Sequence, residues 1–291
     1  MKDRHKISFV IAMGLSLVML AGCAGGQSAN VAVTEKNTQS EDTGKNTQIK
    51  DTGKNTQAKD SGNEAENSNI AKTETVEIIE PQKAGEVINS DAIEAMGVAN
   101  LFYSSEISPD IQNRIMGSSY QENEDIALSE LRYLRVLYYG FDGETHIGEM
   151  IVNEKIAQDV LEIMQELYEN QYPIEKMVLI DEYNADDEAA MEDNNTSAFN
   201  YRKINGSTKL SKHSMGLAID INPRFNPCVK TINGALSVEP INGEAYTDRT
   251  QEFPYKITKE DLCYQLFIEH GFTWGGSWNS LKDYQHFEKD I

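Results

Sequence analysis

Residues 211–220 read Ser211-Lys-His213-Ser-Met-Gly216-Leu-Ala-Ile-Asp220, and residues 283–288 read Asp283-Tyr-Gln-His286-Phe-Glu288. Leu217 to Ile221 predicts a short strand in which Asp220 interrupts an apolar run. An ionised carboxylate in such a setting is costly unless it is paired or holds a metal. Two of the chain's five histidines fall in these polar segments with acids nearby. His213, Asp220 and His286 supply the three N or O ligands of a catalytic zinc site, whose fourth position is kept for water, and Asp283 remains as a proton carrier. Asp283 and His286 are three residues apart and would share a face on a helical turn. Taken singly, each of the four reads equally well as a turn or surface residue. A His-x6-Asp spacing is moderately specific and Asp-x-x-His is weak, so the weight rests on the combination.

The surrounding context is ordered along the chain: Asn195-Thr-Ser-Ala-Phe-Asn-Tyr-Arg202, then Leu210 to Pro223 with His213 and Asp220, then Gly271-Phe-Thr-Trp-Gly-Gly-Ser-Trp278, then Asp283 to Glu288. It resembles the VanY-like D-Ala-D-Ala carboxypeptidase and L-Ala-D-Glu endopeptidase family of zinc peptidases. The resemblance covers residues 175–291, with a weaker extension to about 95. It implies an α+β fold with a small central antiparallel sheet flanked by helices, shared with lysostaphin-type peptidases and the hedgehog signalling domain. It also implies Zn2+ held by His213, Asp220 and His286, with Asp283 as general base and acid and Arg202 on substrate or oxyanion. A permanently charged, forked guanidinium suits either task. Ser211 is a candidate acceptor for the free N–H of a liganding histidine, a turn-forming serine being the alternative reading. Glu288 is the second candidate for the base. Trp274 and Trp278 flank two glycines, and one or both could wall a peptide groove, although buried core tryptophans are commoner.

Three functions fit these residues. The first is a zinc endopeptidase cutting L-Ala-D-Glu in peptidoglycan stem peptides, favoured by the Trp-Gly-Gly-x-Trp and Asp-x-x-His-Phe-Glu context. The second is a D,D-carboxypeptidase releasing terminal D-Ala, for which Arg202 or Arg249 could bind the substrate carboxylate. The third is a wall-binding lipoprotein with a degenerate site, against which the intact ligand set argues.

The N-terminus predicts where the chemistry happens. Lys2, Arg4 and Lys6 precede an apolar stretch from Ile7 to Leu20, followed by Leu20-Ala-Gly-Cys23. These are the parts of an export signal, and the cysteine after the cut makes residues 1–23 resemble a bacterial lipoprotein signal with Cys23 acylated. The apolar run is shorter than the roughly 20 residues of a membrane span. The expectation is an extracytoplasmic protein, anchored to the bacterial cell membrane through its N-terminal lipid. Residues 24–90 read as a tether: Lys36-Asn-Thr-Gln recurs at Lys45 and Lys54 in a polar background that cannot bury enough apolar surface to offset the entropy of ordering.

Residues 91–291 are expected to form one peptidase domain, with its motifs in 175–291. Leu128–Gly140 and His146–Val152 predict a hairpin turning at Asp142-Gly143, with His146 a strand residue. Ile156, Val160, Ile163, Met164 and Leu167 mark an amphipathic helix over 155–168. Met177–Ile180 predicts a strand, and Asp181–Asp193 a solvated acidic loop lacking the spacing of a calcium loop. Thr258 as N-cap, Asp261 in a capping box and Gly271 as stop predict a helix ending at His270, whose place in the last turn explains it better than metal binding. Cys228 and Cys263 read as small buried thiols, with a disulfide as the alternative. A net charge of −21 excludes the basic stripe that nucleic-acid binding needs.

Overall fold

A computed structural model describes residues 82–291. The predicted signal segment, Cys23 and most of the predicted tether lie outside the described residues. All described residues fall within one compact unit, Thr73–Ile291. Among the described residues no helix is long and apolar enough to cross a membrane.

The first half is built on a long hairpin. β1 (Tyr103–Glu106), β2 (Leu131–Tyr139) and β3 (Thr145–Asn153) form an antiparallel sheet in that order. β2 and β3 pair from Leu131↔Asn153 to Tyr139↔Thr145, with the turn at Asp142-Gly143 as expected. Gly143 has φ +83° there, a conformation that glycine adopts without steric cost. His146 stacks on Tyr138 and bonds Asp142, so it belongs to the hairpin. Gly85 and Ile88 donate to Ile147 and Thr145 carbonyls, so packed structure already exists upstream of residue 91. Two short helices, α1 (Ser90–Met96) and α2 (Pro109–Ile115), are capped by the side chains of Asn89 and Ser108.

α3 (Ala157–Glu169) follows the predicted stripe: Val160, Ile163, Met164 and Leu167 are buried, against β2 and the C-terminal helix α5 (Leu262–Glu269). Each such side chain contributes about 1.5–3 kcal/mol on burial. The N-cap of α5 is Asp261, which accepts from the Cys263 N–H at 2.9 Å, and not Thr258. Thr258 instead accepts from the Glu260 N–H, closing a turn just upstream. Gly271, at φ +81°, ends the helix as expected. His270 is its C-cap residue and faces Asp159.

Two expectations between these helices are corrected. Met177–Leu179 is not a strand, because the Asn195 side chain takes both the N–H and the carbonyl of Val178 and stands in for a pairing strand. The acidic segment is not a loop, although Glu182, Asp186 and Asp193 are solvent-exposed as expected. It forms a 3-10 turn (Ile180–Tyr183) and α4 (Asp187–Glu192). Its acids have partners: Asp181 accepts from Ser119, Asp186 caps α4, and Asp193 accepts from Lys176 and Tyr183.

The remaining strands make two further small antiparallel sheets. One orders β4 (Ala218–Asp220), β9 (His286–Glu288) and β7 (Thr273–Trp274); the other orders β6 (Ala235–Glu239), β5 (Cys228–Ile232) and β8 (Lys282–Asp283). The mixture of helices and antiparallel strands is the expected α+β class, with the pairing divided among three sheets. Ile219, Ile221 and Phe287 from this region join α3 and α5 in the main core, so the motif-bearing strands rest on the same apolar base as the long hairpin.

Candidate active site

Three chain segments bring the ligand candidates together. Ser211 N-caps a 3-10 turn, Lys212–Met215, which Gly216 closes at φ +64° and which carries His213. A Cβ on Gly216 would lie 2.6 Å from the Asn153 backbone nitrogen, so glycine alone lets this turn sit against the end of β3. Asp220 ends β4, and its direct partner across the ladder is His286 on β9. Cross-strand pairing therefore does for Asp220 and His286 what local sequence cannot.

His213 Nε2 lies 3.1 Å from Asp220 Oδ2 and 3.2 Å from His286 Nδ1, and His286 Nδ1 lies 3.0 Å from Asp220 Oδ1. All three side chains are buried. With one ligand atom from each, the two nitrogens and a carboxylate oxygen all lie within 4.8 Å of one another, a grouping that could close on a tetrahedral zinc, whose ligand atoms stand roughly 3.3 Å apart. The charge balance fits as well. Burial works against the charge on His286, but hydrogen bonds to Asp220 and Glu288 outweigh it and raise its pKa to about 10. Burial likewise opposes the Asp220 charge, yet His213 and His286 hold its carboxyl well below the usual carboxylate range. A cluster so arranged is one that favours a positive charge at its centre.

The far sides of both imidazoles are fixed. His213 Nδ1 meets the Ala198 carbonyl, which can only accept, so Nδ1 is the donor there and Nε2 is the nitrogen turned toward Asp220. His286 Nε2 is 3.1 Å from Glu288 Oε2. These are the outer partners that orient metal-binding histidines. Ser211 does not supply one; its hydroxyl accepts from the His213 backbone N–H at 3.2 Å, the turn role.

Asp283 and His286 do not share a helical turn. Asp283 sits on β8 opposite Cys228, and His286 on β9, with Tyr284 and Gln285 carrying the chain from one sheet to the other. Both nevertheless line one cavity of about 780 Å³ with His213, Asp220, Arg202 and Glu288. Burial, followed by the charge of Asp220, raises the Asp283 pKa to about 6 against the pull of His286. A buried carboxyl near neutrality has the properties of a proton carrier.

Arg202 lines the same cavity and is ion-paired with Asp187 at the start of α4. Trp278 lines the cavity with its ring 5.2 Å from that of His286, whereas Trp274 is buried and donates to the Tyr284 carbonyl. Arg249 does not reach the cavity. It bonds the Phe225 and Ile257 carbonyls and lies over Tyr284, a structural role.

Several lining residues were not visible in the sequence. Asp187 was hidden inside the acidic run. Cys228 reads as core but faces the cavity beside Asp283, and burial together with that carboxylate pushes its thiol pKa up. Cys228 and Cys263 are both buried and free, as preferred. Lys230 and Glu239 pair at 2.8 Å across the β5–β6 hairpin that forms another wall, a contact set by strand register.

A chain that gathers two imidazoles, two carboxylates and a guanidinium around one open cavity has the parts of a metallohydrolase. Residues 205–289 match the family model described as D-alanyl-D-alanine carboxypeptidase, in agreement with the VanY-like resemblance read from the motifs. The match includes His213, Asp220, Asp283 and His286 and begins three residues after Arg202. It supports a peptidase. Neither the curated proteins nor the solved structures include a match to the chain.

Proposed function

We propose that this protein is a zinc-dependent peptidase that hydrolyses amide bonds in peptidoglycan stem peptides. The observation that carries it is the convergence of His213 Nε2, Asp220 and His286 Nδ1 within one triangle, facing a cavity whose walls hold Asp283 and Arg202. Zinc held by these three residues supplies Lewis acidity and lowers the pKa of water to about 7. Asp283 accepts the proton of the attacking water and returns it to the departing amine nitrogen. Arg202, oriented by Asp187, presents its guanidinium to charge developing on the carbonyl oxygen or to a substrate carboxylate. Ala198 and Glu288 hold the two imidazoles in the tautomers the site uses.

The favoured bond is L-Ala-D-Glu, on the strength of the Trp-Gly-Gly-x-Trp and Asp-x-x-His-Phe-Glu context. Release of terminal D-Ala is the second reading, and the description of the matching family model favours it. We place the domain in the hedgehog and D,D-peptidase fold group on the same motifs. The Leu20-Ala-Gly-Cys23 sequence supports export and lipid anchoring at Cys23, with the polar, repeat-bearing segment that follows it as a leash to the wall, ending before the packed residues around Gly85 and Ile88. Digestion of purified muropeptides followed by mass analysis tests the bond. Cleavage between L-Ala and D-Glu is expected, and stoichiometric D-Ala release with that bond intact would reject the endopeptidase assignment while leaving the metal chemistry standing.

A further inference from the structure

The sheet of β6, β5 and β8 turns one face to the cavity. Glu239, Cys228 and Asp283 stand opposite one another in register across its strands, so their side chains leave the same face, and Lys230, two residues beyond Cys228, shares it. All four line the cavity. Glu239 is therefore two strand spacings, about 10 Å, from the proton carrier. Lys230 Nζ donates to Glu239 Oε1 at 2.8 Å, and Asn205 Nδ2 reaches the same oxygen at 3.3 Å. Both members of the pair are accessible, their side chains 21 % and 27 % exposed. Burial works against the Lys230 charge, but the hydrogen bond to Glu239 and its charge outweigh it and keep the ammonium protonated. Neither group is saturated: among the described residues Lys230 donates one of the three N–H bonds of an ammonium, and Glu239 Oε2 accepts none. A wall with one cation and one anion side by side has little pull on a lone ammonium or a lone carboxylate, since each is drawn to one partner and repelled by the other. A group carrying both charges is attracted at each end. The four charges then alternate around a ring in which the contact between Lys230 and Glu239 need not break.

We propose that Lys230 and Glu239 form a specificity subsite for a zwitterionic side-chain terminus of the substrate, an ammonium and a carboxylate on one carbon, as a diamino dicarboxylic residue of a stem peptide presents. Lys230 takes the carboxylate and Glu239 the ammonium. A residue one or two places from the scissile bond brings such a terminus into range, since each residue spans up to about 3.6 Å and the side chain supplies the rest. The assignment rests on the peptidase reading and holds for either scissile bond.

The test uses the zinc-loaded protein and synthetic stem peptides differing only in the third residue: diaminopimelate with both charges, lysine with the ammonium alone, and 2-aminopimelate with the carboxylate alone. The ratio kcat/KM is expected to be about tenfold higher for the zwitterion than for either singly charged peptide, the scale of one hydrogen bond to a charged group. Lys230→Met should abolish the preference over the lysine peptide, and Glu239→Gln the preference over the 2-aminopimelate peptide, with zinc content unchanged in both. A pair that only braces the hairpin would shift all the peptides alike and leave these preferences standing, which overturns the proposal. A wild-type protein indifferent among the peptides overturns it as well. Should Lys230→Met not fold, Lys230→Gln keeps a donor to Glu239 without the charge and is expected to lose the same preference; its retention overturns the proposal. A wild-type protein that cleaves none of the peptides refutes the peptidase reading itself, and the subsite with it.

Discussion

Gly275 lies directly against Asp283: a Cβ built on the glycine would be 2.6 Å from the Asp283 carbonyl oxygen and 2.8 Å from its Cβ. The distance is far inside van der Waals contact, and the atoms met are main chain and Cβ, which cannot swing aside. Gly275 therefore fixes how closely β8 approaches the turn that follows β7. Gly275→Ala should displace Asp283 and lower kcat by roughly 10²-fold, the cost of moving a reacting group by about an ångström. A protein that keeps wild-type kcat with the alanine in place would show that Asp283 position is not critical.

The metal assignment predicts stoichiometry. Purified protein should carry one zinc per chain by elemental analysis, and His213→Ala or His286→Ala should lose it, because the remaining two donors cannot complete the triangle. Full retention in both variants would sink the assignment.

Asp283 and Glu288 are separable by what each touches. Asp283→Asn should retain zinc and lose catalysis by about 10² or more, as expected for a positioned proton carrier. Glu288→Gln should weaken zinc affinity about 10- to 100-fold, measured against a competing chelator, because Glu288 bonds the outer nitrogen of His286. An inactive Glu288→Gln beside an active Asp283→Asn would reverse the two roles.

Asp159 gives a pH dependence. Burial acts to raise its pKa, but hydrogen bonds from Lys289 and His270 outweigh it and hold it below the ordinary value of about 3.9. Its stabilisation is therefore present above that ordinary value and is lost as pH falls through the depressed folded value. The contact joins α3 to the end of β9, immediately after Glu288. Wild type should be more stable than Asp159→Asn at neutral pH, and the difference should vanish in strong acid. A difference in unfolding midpoint that persists at low pH would contradict the charge argument.

Much of this protein is legible in its sequence because the signals are local. The period of Val160, Ile163, Met164 and Leu167 gives α3, Asp142-Gly143 gives the hairpin turn, and Gly271 gives the end of α5, since each depends on φ, ψ and neighbours within a few residues. His213, Asp220, His286 and Asp283 are also read as site candidates from type and spacing, and Arg202 from the family resemblance. What spacing could not give is how they meet. Asp283 and His286 looked like neighbours on one helical turn, yet they belong to two sheets and meet only across the cavity. Pairing of β4 with β9, 66 residues apart, sets Asp220 opposite His286. Register between β5 and β8 brings Cys228 to Asp283, and the ion pair of Asp187 with Arg202 turns an acidic run into a cavity wall. Non-local pairing of this kind carries no signature in a window of sequence, because it is fixed by the joint burial of Ile219, Ile221 and Phe287 on the core beneath. The chain alone supplied the donors and their chemistry; only the packed strands decided which atoms face one another.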